Sequence, residues 1–145
     1  QAAFSEIDWN APVRAEALSR SMDAIAGFQV VAVDMRKTSA QSEGWGLRQP
    51  VEGFVPVQCY RRTLATQADT RSVLQCSYSD GLASVSLFLE PRDAVRHADL
   101  QSQEVSMGAT QLLGRKVGED AWLTVVGEVP RKTLYRFSQA WVRLR

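Results

Sequence analysis

The chain has 145 residues, of which 45% are hydrophobic and 23% charged, and its formal net charge at pH 7 is +1. This size and composition are those of one ordinary globular domain, and they exclude a disordered chain, a collagen and a coiled-coil rod. The balanced charge disfavours a dedicated nucleic-acid binder, which usually has a clear basic excess. The apolar runs are too short to span a membrane. Two cysteines and one histidine are too few for a four-ligand Cys/His zinc site, and we expect no metal and no cofactor.

The N-terminal part predicts a strand, a helix, a second strand and a loop. Residues Phe4–Trp9 alternate between apolar and polar, as in a strand. Apolar side chains then recur at spacings of four and three over residues 18–25, which favours a weakly amphipathic helix that ends at Gly27. Phe28–Val33 is rich in β-branched residues and is predicted to be the next strand. The polar residues Thr38–Gly44 that follow are predicted to be a loop.

The centre of the chain predicts a three-stranded antiparallel meander. Its strands are expected at Phe54–Leu64, Arg71–Tyr78 and Leu82–Glu90. The last two are joined by the turn Ser79-Asp80-Gly81. The third strand places its apolar residues on one face, and Pro91 ends it. We interpret the polar and charged residues 92–104 as a mobile excursion.

The C-terminal part predicts a hairpin and a helix. Strands are expected at Ala109–Val117 and Ala121–Val126, around a turn at residues 118–120. After Pro130 the apolar residues recur at three, four and three: Leu134, Phe137, Trp141 and Leu144. This is one stripe of a helix, and the sheet is the natural surface to bury it. The expected fold is therefore α+β, with an antiparallel sheet of about five or six strands packed against one main C-terminal helix.

The two cysteines occupy matching positions in the first central hairpin. If Leu64 is opposite Arg71, then Cys59 is directly opposite Cys76, and such a pair can form a cross-strand disulfide. The alternative is two small buried thiols that merely lie near each other. A register shift of one residue would place them on opposite faces of the sheet. The spacing alone leaves both states open.

No catalytic constellation stands out in the sequence. His97 has Asp93 and Asp99 nearby, where a general base and an orienting carboxylate can be imagined, but a solvated loop histidine is the simpler interpretation. The chain has no Gly-x-Ser-x-Gly nucleophile elbow and no glycine-rich phosphate loop. We therefore expect a protein that is not an enzyme.

Four stretches of the chain resemble the MucB/RseB family in the expected order. They are Gly44-Trp45 with Pro50 and Gly53-Phe54, then Tyr78–Pro91, then Met107–Thr110, and finally Val125–Pro130 followed by Thr133-Leu134. The second stretch, with its Asp-Gly turn, is similar to the strand–turn–strand hallmark of the family. Together these stretches extend from residue 44 to 134 and are far more specific than any three-residue motif.

The resemblance implies a periplasmic negative regulator of the envelope stress response. Proteins of this family bind the periplasmic part of a membrane-spanning anti-sigma factor of the RseA or MucA type. Binding shields that factor from a DegS-type site-1 protease and keeps the extracytoplasmic sigma factor sequestered, and lipid or lipopolysaccharide signals are thought to release it. On this comparison, residues 1–26 are the end of a LolA-like N-terminal domain with its linking helical segment. The resemblance also predicts that residues 27–145 are the C-terminal domain and that Gln1 is a cut inside a longer chain.

A partner segment can add to an edge of a small sheet, because the edge has unpaired backbone groups. The residues expected at the partner-binding site lie in the central turn, at the junction into the helix and on the helix: Tyr78, Asp80, Gly81, Leu82, Glu128, Pro130, Arg131 and Arg136. An architectural role is the alternative for Gly81, in a turn that needs a positive φ, and for Pro130, at a helix start.

Two further expectations follow from the resemblance. A periplasmic location makes oxidation available and so favours the disulfide between Cys59 and Cys76. The alternative function is a lipid- or lipopolysaccharide-binding sensor module. Its feature would be an apolar cavity between the sheet and helix 130–144, rimmed by Arg131 and Arg136. Ordinary solvated surface is the simpler interpretation of these basic side chains.

Overall fold

The computed structural model of the chain describes residues 32–65, 70–93, 95, 97 and 102–144. All of them belong to one compact unit, Val31–Arg145. The predicted strand Phe4–Trp9, the helix that ends at Gly27 and most of the strand Phe28–Val33 lie outside the described residues. The division of the chain near residue 26 therefore stays a prediction.

The described residues form nine strands and one helix. They are β1 (Ala32–Thr38), β2 (Trp45–Leu47), β3 (Val55–Ala65), β4 (Thr70–Ser79), β5 (Ser84–Pro91), β6 (Ser102–Met107), β7 (Thr110–Val117), β8 (Ala121–Gly127), α1 (Arg131–Ala140) and β9 (Trp141–Arg143). Seven strands form one antiparallel sheet in the order β1-β3-β4-β5-β8-β7-β6, and β2 pairs with β9 in a second sheet. The predicted α+β fold is confirmed, although the main sheet has seven strands instead of five or six.

β6 is a strand that the sequence prediction missed. It includes residues 102–104, so the interpretation of residues 92–104 as a mobile excursion is wrong for these three. Among the described strands, β6 pairs with β7 alone, and most of its side chains are exposed. Because neither face of this edge strand is buried, its sequence shows no alternation of apolar and polar residues. The polar sequence therefore hid the strand.

The central meander has the predicted register. Cys59 of β3 is opposite Cys76 of β4, and Cys76 is opposite Leu87 of β5. The row continues into β8, where Val125 is opposite Leu87. Alternate residues of β5 are buried, as the sequence predicted: Val85, Leu87 and Leu89. These rows form the apolar face of the sheet that carries the hydrophobic core.

α1 buries its apolar stripe in this core. Leu134 and Phe137 are buried, and the helix contacts β7 and β8. The prediction that the helix continues to residue 144 is wrong, because α1 ends at Ala140. The chain then continues as β9, which pairs with β2 and places Trp141 opposite Leu47. Trp141 is nevertheless buried in the same core. A spacing of apolar residues predicts burial but does not distinguish the last helical turn from an extended exit.

Arg115 of β7 supports the end of α1. Its Nε donates hydrogen bonds to Oγ and to the backbone O of Ser138, at 2.8 and 3.1 Å, and its Nη2 donates to the O of Trp141 at 3.4 Å. The last carbonyl groups of a helix have no partners within the helix. Arg115 supplies donors at this end, and its burial lowers the pKa of its guanidinium group.

Candidate partner-binding surface

The predicted turn between β4 and β5 is present, and two of its residues hold the backbone in shape. The Oδ1 atom of Asp80 accepts hydrogen bonds from the backbone N–H groups of Ala83 (2.7 Å) and Leu82 (2.9 Å). These bonds lower the pKa of the Asp80 carboxyl group. Gly81 has a φ of +95°, a conformation that strains any residue with a side chain. The side chain of Leu82 is fully exposed, so it is the turn residue most available to a partner.

Tyr78 lies in the core rather than on the open surface. Its ring packs against Phe137 with the centroids 5.2 Å apart, and burial raises the pKa of its phenol. Tyr78 also lines an apolar groove of about 470 Å³, together with Leu47, Phe54 and Cys59. A partner can therefore reach Tyr78 through this groove.

The junction from β8 into α1 lies at the same end of the sheet as the turn, because Val85 after the turn is opposite Gly127 before the junction. Pro130 immediately precedes α1, where its missing N–H costs no helical hydrogen bond. Glu128 is exposed, and its Oε1 accepts a hydrogen bond from the hydroxyl of Thr110 at 3.4 Å. The structure thus brings the turn and the junction residues together at one end of the domain.

The two candidate arginines of α1 have different surroundings. Arg131 forms an ion pair with Glu104 of β6, with its Nε 2.7 Å from Oε1. This contact raises the pKa of Arg131 and lowers the pKa of Glu104. Arg136 is exposed and lines a second groove of about 470 Å³ that also contains Arg48. Arg131 is thus engaged with β6, whereas Arg136 faces a groove together with a residue that the sequence did not single out.

Cys59 and Cys76 form a disulfide, which the predicted register allowed and the resemblance favoured. Their Cα atoms are 4.1 Å apart, as expected for a directly opposed pair that is not hydrogen-bonded. Cys76 is fully buried, whereas Cys59 lines the apolar groove. The disulfide therefore joins the strand that borders this groove to the core strand β4.

His97 is buried, so its interpretation as a solvated loop histidine is wrong. Only 6% of its surface is exposed, and its ring stacks on Trp122 with the centroids 4.5 Å apart. Its Nδ1 accepts a hydrogen bond from the backbone N–H of Asp93 at 3.0 Å, and its Nε2 lies 3.7 Å from Oε1 of Glu90. The large ring of Trp122 is distant in sequence, so the polar local sequence gave no sign of this packing. Asp99 lies outside the described residues.

No group of three His, Cys, Asp or Glu side chains is placed to hold a metal ion within residues 32–65, 70–93, 95, 97 and 102–144. Both cysteines are in the disulfide, so neither thiol is available as a ligand. In this described part of the chain, no helix is long and apolar enough to cross a membrane.

Comparison with known proteins gives one family and a set of similar structures. Residues 39–141 match the MucB/RseB C-terminal domain. A search of the curated proteins gives no significant match. The chain is similar to a crystal structure of MucB in complex with MucA(peri), with a TM-score of 0.59 and 25% identity, and to the complex structure of Pseudomonas aeruginosa MucA/MucB, with 0.56 and 26%. Each match covers 70% of this chain but only 37% and 35% of the matched chains, so this chain spans about a third of their length.

Proposed function

The chain belongs to the MucB/RseB family, and we propose that it binds the periplasmic region of an anti-sigma factor of the MucA or RseA type. Bound in this way, it shields the anti-sigma factor from site-1 proteolysis, so the extracytoplasmic sigma factor stays inactive. The protein acts in the periplasm as a negative regulator of the envelope stress response.

The observation that carries the proposal is the match of residues 39–141 to a domain whose solved relatives include MucB in complex with MucA. Two structural features support it. The outer strands β1 and β6 each have one strand neighbour among the described residues, and an extended segment can pair with such an edge. The disulfide is of the kind that forms and persists in an oxidising compartment such as the periplasm.

Binding and protection need separate measurements. The 145-residue chain is titrated by calorimetry against the purified periplasmic region of the MucA-type protein from the same organism, and we expect saturable binding. A DegS-type protease then cleaves that region with and without the chain, and we expect cleavage to slow in proportion to the bound fraction. Cleavage of an unrelated unfolded substrate at an unchanged rate is the control for direct inhibition of the protease. Absence of binding would refute the proposal, and binding without protection would refute the shielding step.

The lipid-binding alternative requires an apolar cavity between the sheet and the helix segment 130–144. The side chains that face each other there are at most 2% exposed: Val85, Val125, Leu134, Phe137 and Trp141. Arg131 is paired with Glu104, and Arg136 lines a groove on the outside of the helix with Arg48. In the described part of the chain, the two surface grooves are the places where a lipid can be tested for binding.

A further inference from the structure

An uncovered stretch of β3 gives the main sheet an open edge next to the apolar groove. β1 ends at Thr38, opposite Cys59, whereas β3 begins four residues earlier, at Val55. The segment Val55–Gln58 therefore pairs with β4 on one side and with no described strand on the other. The side chains of Val55 and Val57 are 63% and 58% exposed. Pro56 has no N–H to donate, and a bulge lies between Pro56 and Gln58, so this edge is short and irregular. A partner segment can continue the line of β1 along it over a few residues.

The apolar groove that borders this edge is held open by the core. The rings of Phe54 and Tyr78 line the groove and both rest on the buried ring of Phe137, with centroid distances of 5.3 and 5.2 Å. Its wall also includes Cys59, which the disulfide fixes to β4. A preformed groove beside a strand edge suits an extended segment, because the backbone pairs with the strand while an apolar side chain enters the groove.

The second groove adjoins the first at Pro50, which lines both, and it carries the charge. Its lining contains Arg48 and Arg136 against a single carboxylate, Glu52. Both arginines are exposed, and neither pairs with an acidic side chain among the described residues. The two guanidinium groups can bind a carboxylate through charge-assisted hydrogen bonds. This groove therefore complements an acidic group of a partner.

We propose that the two grooves bind one extended segment of a partner protein, with an apolar side chain in the first groove and an acidic side chain at Arg48 and Arg136 in the second. The inference rests on the proposed function, because the segment belongs to the periplasmic region of the anti-sigma factor. An anionic lipid also combines apolar and acidic groups. Only a polypeptide, however, can use the open edge of Val55–Gln58, and the observations therefore favour a polypeptide.

Two variants with matched controls test the assignment. Arg136→Glu reverses the charge in the second groove, and Lys132→Glu makes the same kind of change one helical turn away, at an exposed residue outside both grooves. Val57→Glu places a charge at the open edge of β3, and Met107→Glu does so at the opposite edge strand, where Met107 is 61% exposed. All four positions are exposed, so we expect the variants to fold, with Tm as the check.

Calorimetry against the periplasmic region of the cognate MucA-type protein gives the result. We expect Arg136→Glu and Val57→Glu to weaken binding by about tenfold or more and both controls to change it by less than about twofold. We also expect added salt to weaken binding of the unchanged chain more than binding of the Arg136→Glu variant, because salt screens exposed charge pairs.

The other outcomes each refute a different statement. If the unchanged chain binds and all four variants bind equally well, the groove assignment is wrong and the proposed function stands. If only Met107→Glu weakens binding, the partner uses the β6 edge. If the unchanged chain does not bind, the proposed function fails and the assignment fails with it. If Arg136→Glu abolishes binding to phosphatidylglycerol vesicles but leaves binding to the protein intact, the second groove is a lipid site.

Discussion

Reduction of the Cys59–Cys76 disulfide should lower the free energy of unfolding by about 3 kcal/mol. The two cysteines are separated by 17 positions, and closing a loop of this length removes roughly 10 cal/mol/K of entropy from the unfolded chain. The strands on both sides of the bond are paired in register, so the reduced protein should keep the same fold. The loss should therefore appear in stability, through the unfolded state, and leave the native structure unchanged.

Urea unfolding followed by tryptophan fluorescence, with and without dithiothreitol, measures this difference on one unchanged sequence. The double variant Cys59→Ala/Cys76→Ala is the control, because a reductant should have no effect on a chain without thiols. The comparison of oxidised with reduced protein avoids the cavity that an alanine leaves at Cys76, which is fully buried. A difference below about 1 kcal/mol, or an equal effect of the reductant on the double variant, would refute the loop-entropy reasoning.

Three other changes should alter stability for separate reasons. A Cβ at Gly127 would lie 2.8 Å from a backbone carbonyl oxygen of β5, so Gly127→Ala should lower the free energy of unfolding by about 1–3 kcal/mol. Gly46→Ala should lower it less, because the nearest atoms to its Cβ belong to the flexible side chain of Leu144. Thermal denaturation of the two variants tests this, and equal losses of stability would contradict it. Arg115→Met should lower the free energy of unfolding by about 2 kcal/mol, because Ser138 at the end of α1 loses a charged hydrogen-bond donor. An unchanged urea midpoint of unfolding would contradict this. The hydrogen bond from Arg61 is the main cause of the lowered pKa of Glu43. The ionised carboxylate therefore stabilises the fold at pH values above 4.5, its ordinary pKa, and this stabilisation is lost as the pH falls through the lowered pKa of the folded state. The Tm of Glu43→Gln should therefore lie below that of the unchanged chain at pH 7, and the difference should shrink below pH 4.5; a constant difference would contradict the assignment.

The sequence predicted the centre of the fold because local pattern and tertiary burial agree there. The alternation of apolar and polar residues in β5 matches a strand with one face in the core, and the Asp80-Gly81 turn has the required positive φ. Once Leu64 is placed opposite Arg71 in the pairing of β3 with β4, the opposition of Cys59 and Cys76 follows by counting. Spacing therefore identified the pair that can form the disulfide, and the family resemblance favoured its oxidised state.

Apart from the missed strand β6, the failures share one cause, which is that the deciding contact is distant in sequence. His97 is buried by Trp122, and Trp141 is held in the core by an extended exit that pairs with β2. Arg48 is ordinary in its local sequence and becomes a candidate only because the fold places it in a groove with Arg136. Periodicity describes a face of one element, and it does not describe which elements meet there.

The position of the open edge of β3 also depends on a distant contact, at the turn that ends β1. After Thr38 the chain turns through residues 39–43 instead of continuing beside β3, and Ser39, Ala40 and Gln41 become a wall of the first groove. Glu43 holds this turn in place, because its carboxylate accepts hydrogen bonds from Thr38 at 2.9 Å and from Nε of Arg61 on β3 at 3.2 Å. A polar network, rather than an apolar one, therefore sets where β1 stops and how the groove is closed on that side. The prediction of a polar loop at residues 38–44 described the turn itself. The turn also uncovers the edge of β3, and this depends on the hydrogen bond between Glu43 and Arg61, which lies 18 positions further along the chain.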